Sequence, residues 1–122
     1  MYEILIKGDF SSAHNLIGYK GKCEALHGHS WKVEARFEKE DLDKIGISVD
    51  FTLLKSRLKA ILKKLDHTYL NKSGPFKKQN PSAENIARFI HTKLKASCKE
   101  RDLILKSVSV WESDTSCAIY YD

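Results

Sequence analysis

HGHSWKVEARFE, residues 27–38, decides the fold. Trp31, Val33, Ala35 and Phe37 are apolar, and Lys32, Glu34, Arg36 and Glu38 between them are charged. A period of two predicts a strand with one face covered and the other wet. His27 and His29 share the parity of Trp31 and Val33, so both imidazoles project to the covered side, where both can point at one ion. An unpaired polar ring there is costly unless something binds it.

The same period recurs upstream, where Tyr2, Ile4, Ile6 and Phe10 share a parity over residues 2–10. This segment predicts a first strand, pairing antiparallel with the second. Residues 11–29 carry Gly and Ser and little periodicity, and they read as a loop that holds three of the five histidines. If the first strand continues without a bulge, His14 keeps the parity of Ile4, Ile6 and Phe10 and comes alongside the pair.

Downstream, Asp50 is a helix N-cap, and Phe51, Leu54, Leu58, Leu62 and Leu65 recur at helical spacing to an end near Asp66. Asn80 followed by Pro81 predicts the opening of a second helix, cap then first-turn proline, with Ile86, Phe89, Ile90 and Leu94 inward. Ile104, Val108 and Val110 then alternate, Ser113-Asp114-Thr115 turns, and the chain finishes on CAIYYD. The order ββααββ predicts an α+β fold: a four-stranded antiparallel sheet with two helices on one face, in a single domain over 1–122. Its two open edges invite pairing between copies, hence a homo-oligomer.

With 122 residues, 42% hydrophobic and 30% charged, the chain has the composition of one folded domain and not of a disordered or fibrous protein. No apolar run approaches the roughly 18 residues of a membrane span, and the N-terminus lacks a secretory pattern. Three cysteines without framework spacing fit a reducing compartment, so the expected location is cytoplasmic, with no membrane partner. A net charge of +5 attracts polyanions, among them a phosphorylated small molecule, and Lys20, Lys22, Lys72, Lys77 and Lys78 lie in loops suited to contacting one.

Three neutral imidazoles with a vacant position describe a catalytic zinc site, whereas structural zinc is usually closed by four protein ligands. The alternative is three ordinary loop histidines. Cys23, four residues before His27, is either a fourth ligand that closes the site or a thiolate held off the metal and able to move a proton. Cys98 and Cys117 read as small buried hydrophobes, and His91, among Lys and Arg, as a surface residue. Asp66 and His67 form either a proton relay or a capped helix end. Glu112 shares parity with Val108 and Val110, and a carboxylate at that inward end either bends into solvent or accepts paired N–H groups of a guanine- or pterin-like edge.

FSSAHNL, CEALHGHSW, VDFTLLK, LDHTYLN, NPSAEN and VWES, in this order and nearly end to end, resemble the 6-pyruvoyl- and 6-carboxy-tetrahydropterin synthase family. The resemblance implies a tunnelling fold, in which subunits join their sheets into a barrel, as a hexamer or tetramer with sites between subunits. It implies zinc on His14, His27 and His29, with Cys23 catalytic and assisted by Asp66 and His67. Glu112 would anchor the pterin, with Ser82, Ala83 and Glu84 near the substrate; Ser82 stands where threonine is common and keeps the hydroxyl. The short C-x-x-x-H-G-H spacing resembles the bacterial carboxy enzymes of queuosine synthesis. The implied reaction starts from 7,8-dihydroneopterin triphosphate and yields 6-carboxy-tetrahydropterin, acetaldehyde and triphosphate. The alternative is the pyruvoyl enzyme, which eliminates triphosphate without carbon–carbon cleavage. A further alternative, independent of the resemblance, is a basic nucleic-acid-binding module with a closed His3Cys zinc; the lysines lack the interleaved exposed aromatics that such a module favours, so no nucleic-acid partner is expected.

Overall fold

The computed structural model describes residues 1–21 and 25–122. Strands β1 (Tyr2–His14) and β2 (His27–Lys39) are followed by helix α1 (Phe51–Lys63), two short 3-10 turns (Leu70–Lys72 and Gly74–Phe76) and helix α2 (Ala83–Ser97). Strands β3 (Ile104–Ser113) and β4 (Ser116–Tyr120) end the fold. The sheet runs β1-β2-β3-β4, antiparallel throughout, as the alternation predicts.

One sheet face carries Ile4, Ile6, Phe10, Trp31, Val33, Ala35, Phe37, Val108 and Val110, all buried. The helices close over that face, α1 on β1 and α2 on β3 and β4. Phe10 and Trp31 are cross-strand partners whose rings stack at 5.8 Å, a contact worth about 1 kcal/mol beyond the area that it buries. Gly8 lies on the same face because α1 comes too close for a side chain. A Cβ there would stand 2.8 Å from Leu62 Cδ1. The loop after α2 is tied back to α1 by Arg57, whose guanidinium donates at 2.6 and 2.8 Å to the two oxygens of Glu100 and holds that carboxyl at about 2.

Several boundaries differ from the sequence expectation, each for a local reason. β1 continues past Phe10 to His14, because Ser11 and Ser12 complete the ladder opposite Ser30 and His29 although neither is apolar. α1 keeps the Asp50 cap, whose side chain accepts from Thr52 N–H, but stops at Lys63. Beyond it, Asp66 N–H still bonds Leu62 O, and His67 turns into the left-handed region at φ 54°. α2 is capped by Ser82, which accepts from Asn85 N–H, so the helix opens two residues later than Asn80-Pro81 predicts. A register shift opposite Arg36 and Phe37 reverses the start of β3: Leu105 is buried, and Ile104 is exposed and not inward. Phe89 is only half-buried, edge-on to Phe76. His91 is not a surface residue; it is 1% exposed, packed edge-on against Tyr120. Cys98 and Cys117 are half-buried free thiols, and burial pushes both pKa values up.

Candidate active site

The last pair of the β1–β2 ladder is His14 opposite His27, with His29 opposite Ser12 one step inward. Because side chains two apart share a face, the register sends all three rings to the covered side. Trp31 floors them, edge-on to His14 at 4.9 Å and to His29 at 5.1 Å. Glu112 arrives from β3 at the register shift between Trp111 and Ser113, where the pairing with β4 is interrupted. Its Oε1 lies 2.9 Å from His29 Nε2, 3.7 Å from His14 Nε2 and 4.0 Å from His27 Nε2. One ligand atom from each of the four residues falls within 4.8 Å of all the others.

The proton positions follow from the outer hydrogen bonds. His14 Nδ1 donates to Pro81 O at 2.8 Å, and His27 Nδ1 donates to Ala25 O at 2.7 Å. In the neutral rings both Nε2 atoms are then lone pairs, and they face one another at 2.9 Å with no proton to share. His29 Nε2 is buried and makes no aligned hydrogen bond despite the nearby carboxylate. Lone pairs pressed together and a buried nitrogen without a partner fit a cation, and outer carbonyls that fix the tautomer are the usual second layer of a metal site. Burial holds the His14 and His29 pKa values below the ordinary range, against the pull of Glu112, which keeps the rings in the neutral form that a metal needs.

Asp66 and His67 lie beside this cluster on the β1 edge. His67 N–H bonds Ser11 O at 2.6 Å, Ala13 N–H bonds Thr68 O at 3.0 Å, and Ser11 N–H bonds Asp66 Oδ1 at 2.8 Å. The Ser11 bond, helped by His67, holds the Asp66 carboxyl below the usual range. Asp66 Oδ2 lies 3.0 Å from His67 Nδ1, and the His67 ring is exposed. His67 and His29 line one open hollow of about 550 Å³.

Ser82 spends its hydroxyl on the α2 cap, Ala83 is buried and Glu84 is exposed in the first turn. Their segment reaches the cluster through the Pro81 carbonyl. That carbonyl went unread in the sequence; the proline beside Asn80 was its only marker. Cys23 and Lys22 lie outside the described residues. Lys77 and Lys78 line a hollow of about 270 Å³ with Ile17, Asn71 and Asn80. No helix among the described residues is long and apolar enough to cross a membrane.

Residues 3–122 match the family model for 6-pyruvoyl tetrahydropterin synthase. The chain belongs to that family. As an enzyme of the 6-pyruvoyl tetrahydropterin synthase family it is similar to a 6-carboxy-5,6,7,8-tetrahydropterin synthase of Synechocystis, 36% identical over 99% of this chain and 94% of the relative. It is also similar to a dihydroneopterin monophosphate aldolase of Pyrococcus furiosus, 34% identical over 92% of this chain and 90% of the relative. Among solved structures, the 6-pyruvoyl tetrahydropterin synthase of Caenorhabditis elegans superposes with a TM-score of 0.88 at 25% identity, covering 99% of this chain and 95% of the other. The fold of the single chain and the family agree with what the six motifs imply.

Proposed function

We propose that the protein is a zinc-dependent lyase acting on 7,8-dihydroneopterin triphosphate, with 6-carboxy-5,6,7,8-tetrahydropterin, acetaldehyde and triphosphate as products, in 7-deazapurine (queuosine) synthesis. The observation that carries this reading is the convergence of three imidazole Nε2 atoms on one point, on a chain similar throughout its length to a carboxy enzyme. His14, His27 and His29 would hold the zinc, which when bound supplies Lewis acidity to the substrate's side-chain hydroxyls.

The chain's own residues divide the remaining work. Cys23 takes the side-chain proton as a thiolate, and His67, oriented by Asp66 at 3.0 Å, passes it on. Asp66 is itself fixed by the Ser11 N–H, so the His67 ring has an oriented partner. Glu112, whose Oε1 stands 2.9 Å from His29 Nε2, would turn its carboxylate to accept two N–H groups from the pterin edge. The Trp31 floor and the buried His14 ring exclude water from the inner side, while His27 and His29 stay partly open to the substrate. Subunits would join along the β4 edge and the part of the β1 edge before Ser11, which the 66–69 segment leaves uncovered, closing sites between neighbours.

A second reading has its own support: the Pyrococcus relative is an aldolase of the monophosphate, and this chain covers 90% of it. Product analysis on both substrates separates the possibilities. Acetaldehyde and triphosphate from the triphosphate support the carboxy synthase. Triphosphate without acetaldehyde means the pyruvoyl reaction, and cleavage of the monophosphate alone means the aldolase.

A further inference from the structure

After His14 the β1 strand loses its strand partner, yet the chain stays ordered by side chains that imitate one. Asn71 Oδ1 accepts from Asn15 N–H at 3.0 Å while Asn71 Nδ2 donates to Asn15 O at 2.8 Å. Two residues on, Asn80 repeats the pattern: Oδ1 accepts from Ile17 N–H at 3.0 Å and Nδ2 donates to Ile17 O at 2.9 Å. A primary amide offers a donor and an acceptor side by side, the same pair that a neighbouring strand presents, so each asparagine stands in for one residue of a missing strand.

Asn80 carries a further anchor on its main chain. Its own carbonyl accepts from Asn85 Nδ2 at 2.8 Å, and Asn85 is anchored in the first turn of α2 through Ser82. The next residue, Pro81, has φ fixed by its ring, and a proline also restricts the residue before it. Asn80 is thus held at both its side chain and its main chain, and little freedom remains in the direction of the Pro81 carbonyl. That carbonyl receives the His14 Nδ1–H and so decides which His14 nitrogen faces His27 and His29.

We infer that Asn80 is a positioning residue: by clamping Ile17 it aims the Pro81 carbonyl, which locks His14 in the tautomer that presents Nε2 to the ion. This inference rests on the metal reading above. Outer groups that orient a ligating imidazole typically contribute 10–100-fold to affinity.

Cobalt(II) titration of the full-length apo protein, followed by visible absorption, measures the affinity. Long-range proton–nitrogen spectra at pH 8 measure the His14 tautomer. Wild type should show His14 as the Nδ1–H form, and Asn80→Ala should mix the two tautomers and weaken cobalt binding about 10–100-fold. If that variant does not fold, Asn80→Asp is read instead. It keeps the acceptor for Ile17 N–H but has no proton for Ile17 O, and should shift both readouts in the same direction. A purely structural Asn80 lowers the melting temperature and leaves tautomer and cobalt affinity at wild-type values; that result overturns the proposal. A wild-type protein that takes up no cobalt defeats the metal reading instead, and the tautomer still tests Asn80.

Discussion

His14 and His91 are buried to the same degree, each 1% exposed, and in both rings burial is the main cause that lowers the pKa. Their surroundings differ. His14 gives its Nδ1–H to a carbonyl and turns Nε2 towards two further imidazoles and a carboxylate. His91 has one ring edge on Tyr120, and its Nε2 stands 3.8 Å from Asp122 Oδ1 without a hydrogen bond. Asp122 is shared with Lys95, which ties the end of the chain to α2. A buried histidine is therefore no sign of a metal. Several lone pairs brought to one point by separate elements are.

Alanine at a ligand position should show the largest difference between the two regions. His29→Ala should weaken zinc or cobalt binding by more than about 100-fold, beyond the usual loss of an outer contact, and His91→Phe should leave metal content unchanged by elemental analysis. If His91→Phe also strips the metal, the contrast fails. Next in size, Cys23→Ala should keep the metal and lower turnover by about 10²–10⁴-fold, the usual contribution of a positioned acid or base. Loss of metal in that variant would make the site a closed His3Cys centre. Glu112→Gln sharpens the comparison inside the cluster. As a pterin anchor, Glu112 gives up its charge with the metal retained and substrate affinity lowered about 10-fold, within the range for a hydrogen bond to a charged group. As a ligand, it takes the metal with it.

The smallest effect concerns His91 and pH. Its folded pKa lies below the ordinary 6.5, through burial and then Lys95, against the opposing pull of Asp122 and the Leu105 backbone. The unfolded chain therefore binds the proton first. The contribution of His91 to stability is full above pH 6.5, declines as pH falls from there towards the lowered value, and is level below it. Melting temperatures of the metal-free protein from pH 8 to 5 should fall, and His91→Phe should remove that part of the slope. An unchanged slope would mean that the ring titrates as it does in water.

The parts of this site that strand periodicity governs were legible from the residues. His27 and His29 inherit their direction from Trp31 and Val33, and His14 from Ile4 and Phe10, since a period of two persists for as long as the ladder does. Glu112 keeps the parity of Val108 and Val110, so its inward direction was legible, but its place against the three histidines, at the register shift after Trp111, was not. Where periodicity is broken, the reading broke with it. The bulge opposite Arg36 carries no composition signal and exchanged Ile104 for Leu105. Ser11 and Ser12 hid the end of β1, because a strand that closes on polar residues looks like a loop. Asn80-Pro81 has the composition of a helix start, but its side chain is bonded to Ile17 and the cap passes to Ser82. His91 could not be placed from its neighbours in sequence, because the groups that enclose it come from β4 and the chain end.

The missing methyl group at position 8 has a reach beyond its own strand. It lets Leu58 and Leu62 settle against β1, and Leu62 O in turn receives the Asp66 N–H one turn before Asp66 meets Ser11. An alanine there would act as a wedge at the hinge of a jaw: Leu62 Cδ1 must swing aside, and the cost falls on the turn of α1 that leads into the Asp66–His67 tooth. The bite of this enzyme is thus set, in part, by an atom that the sequence leaves out.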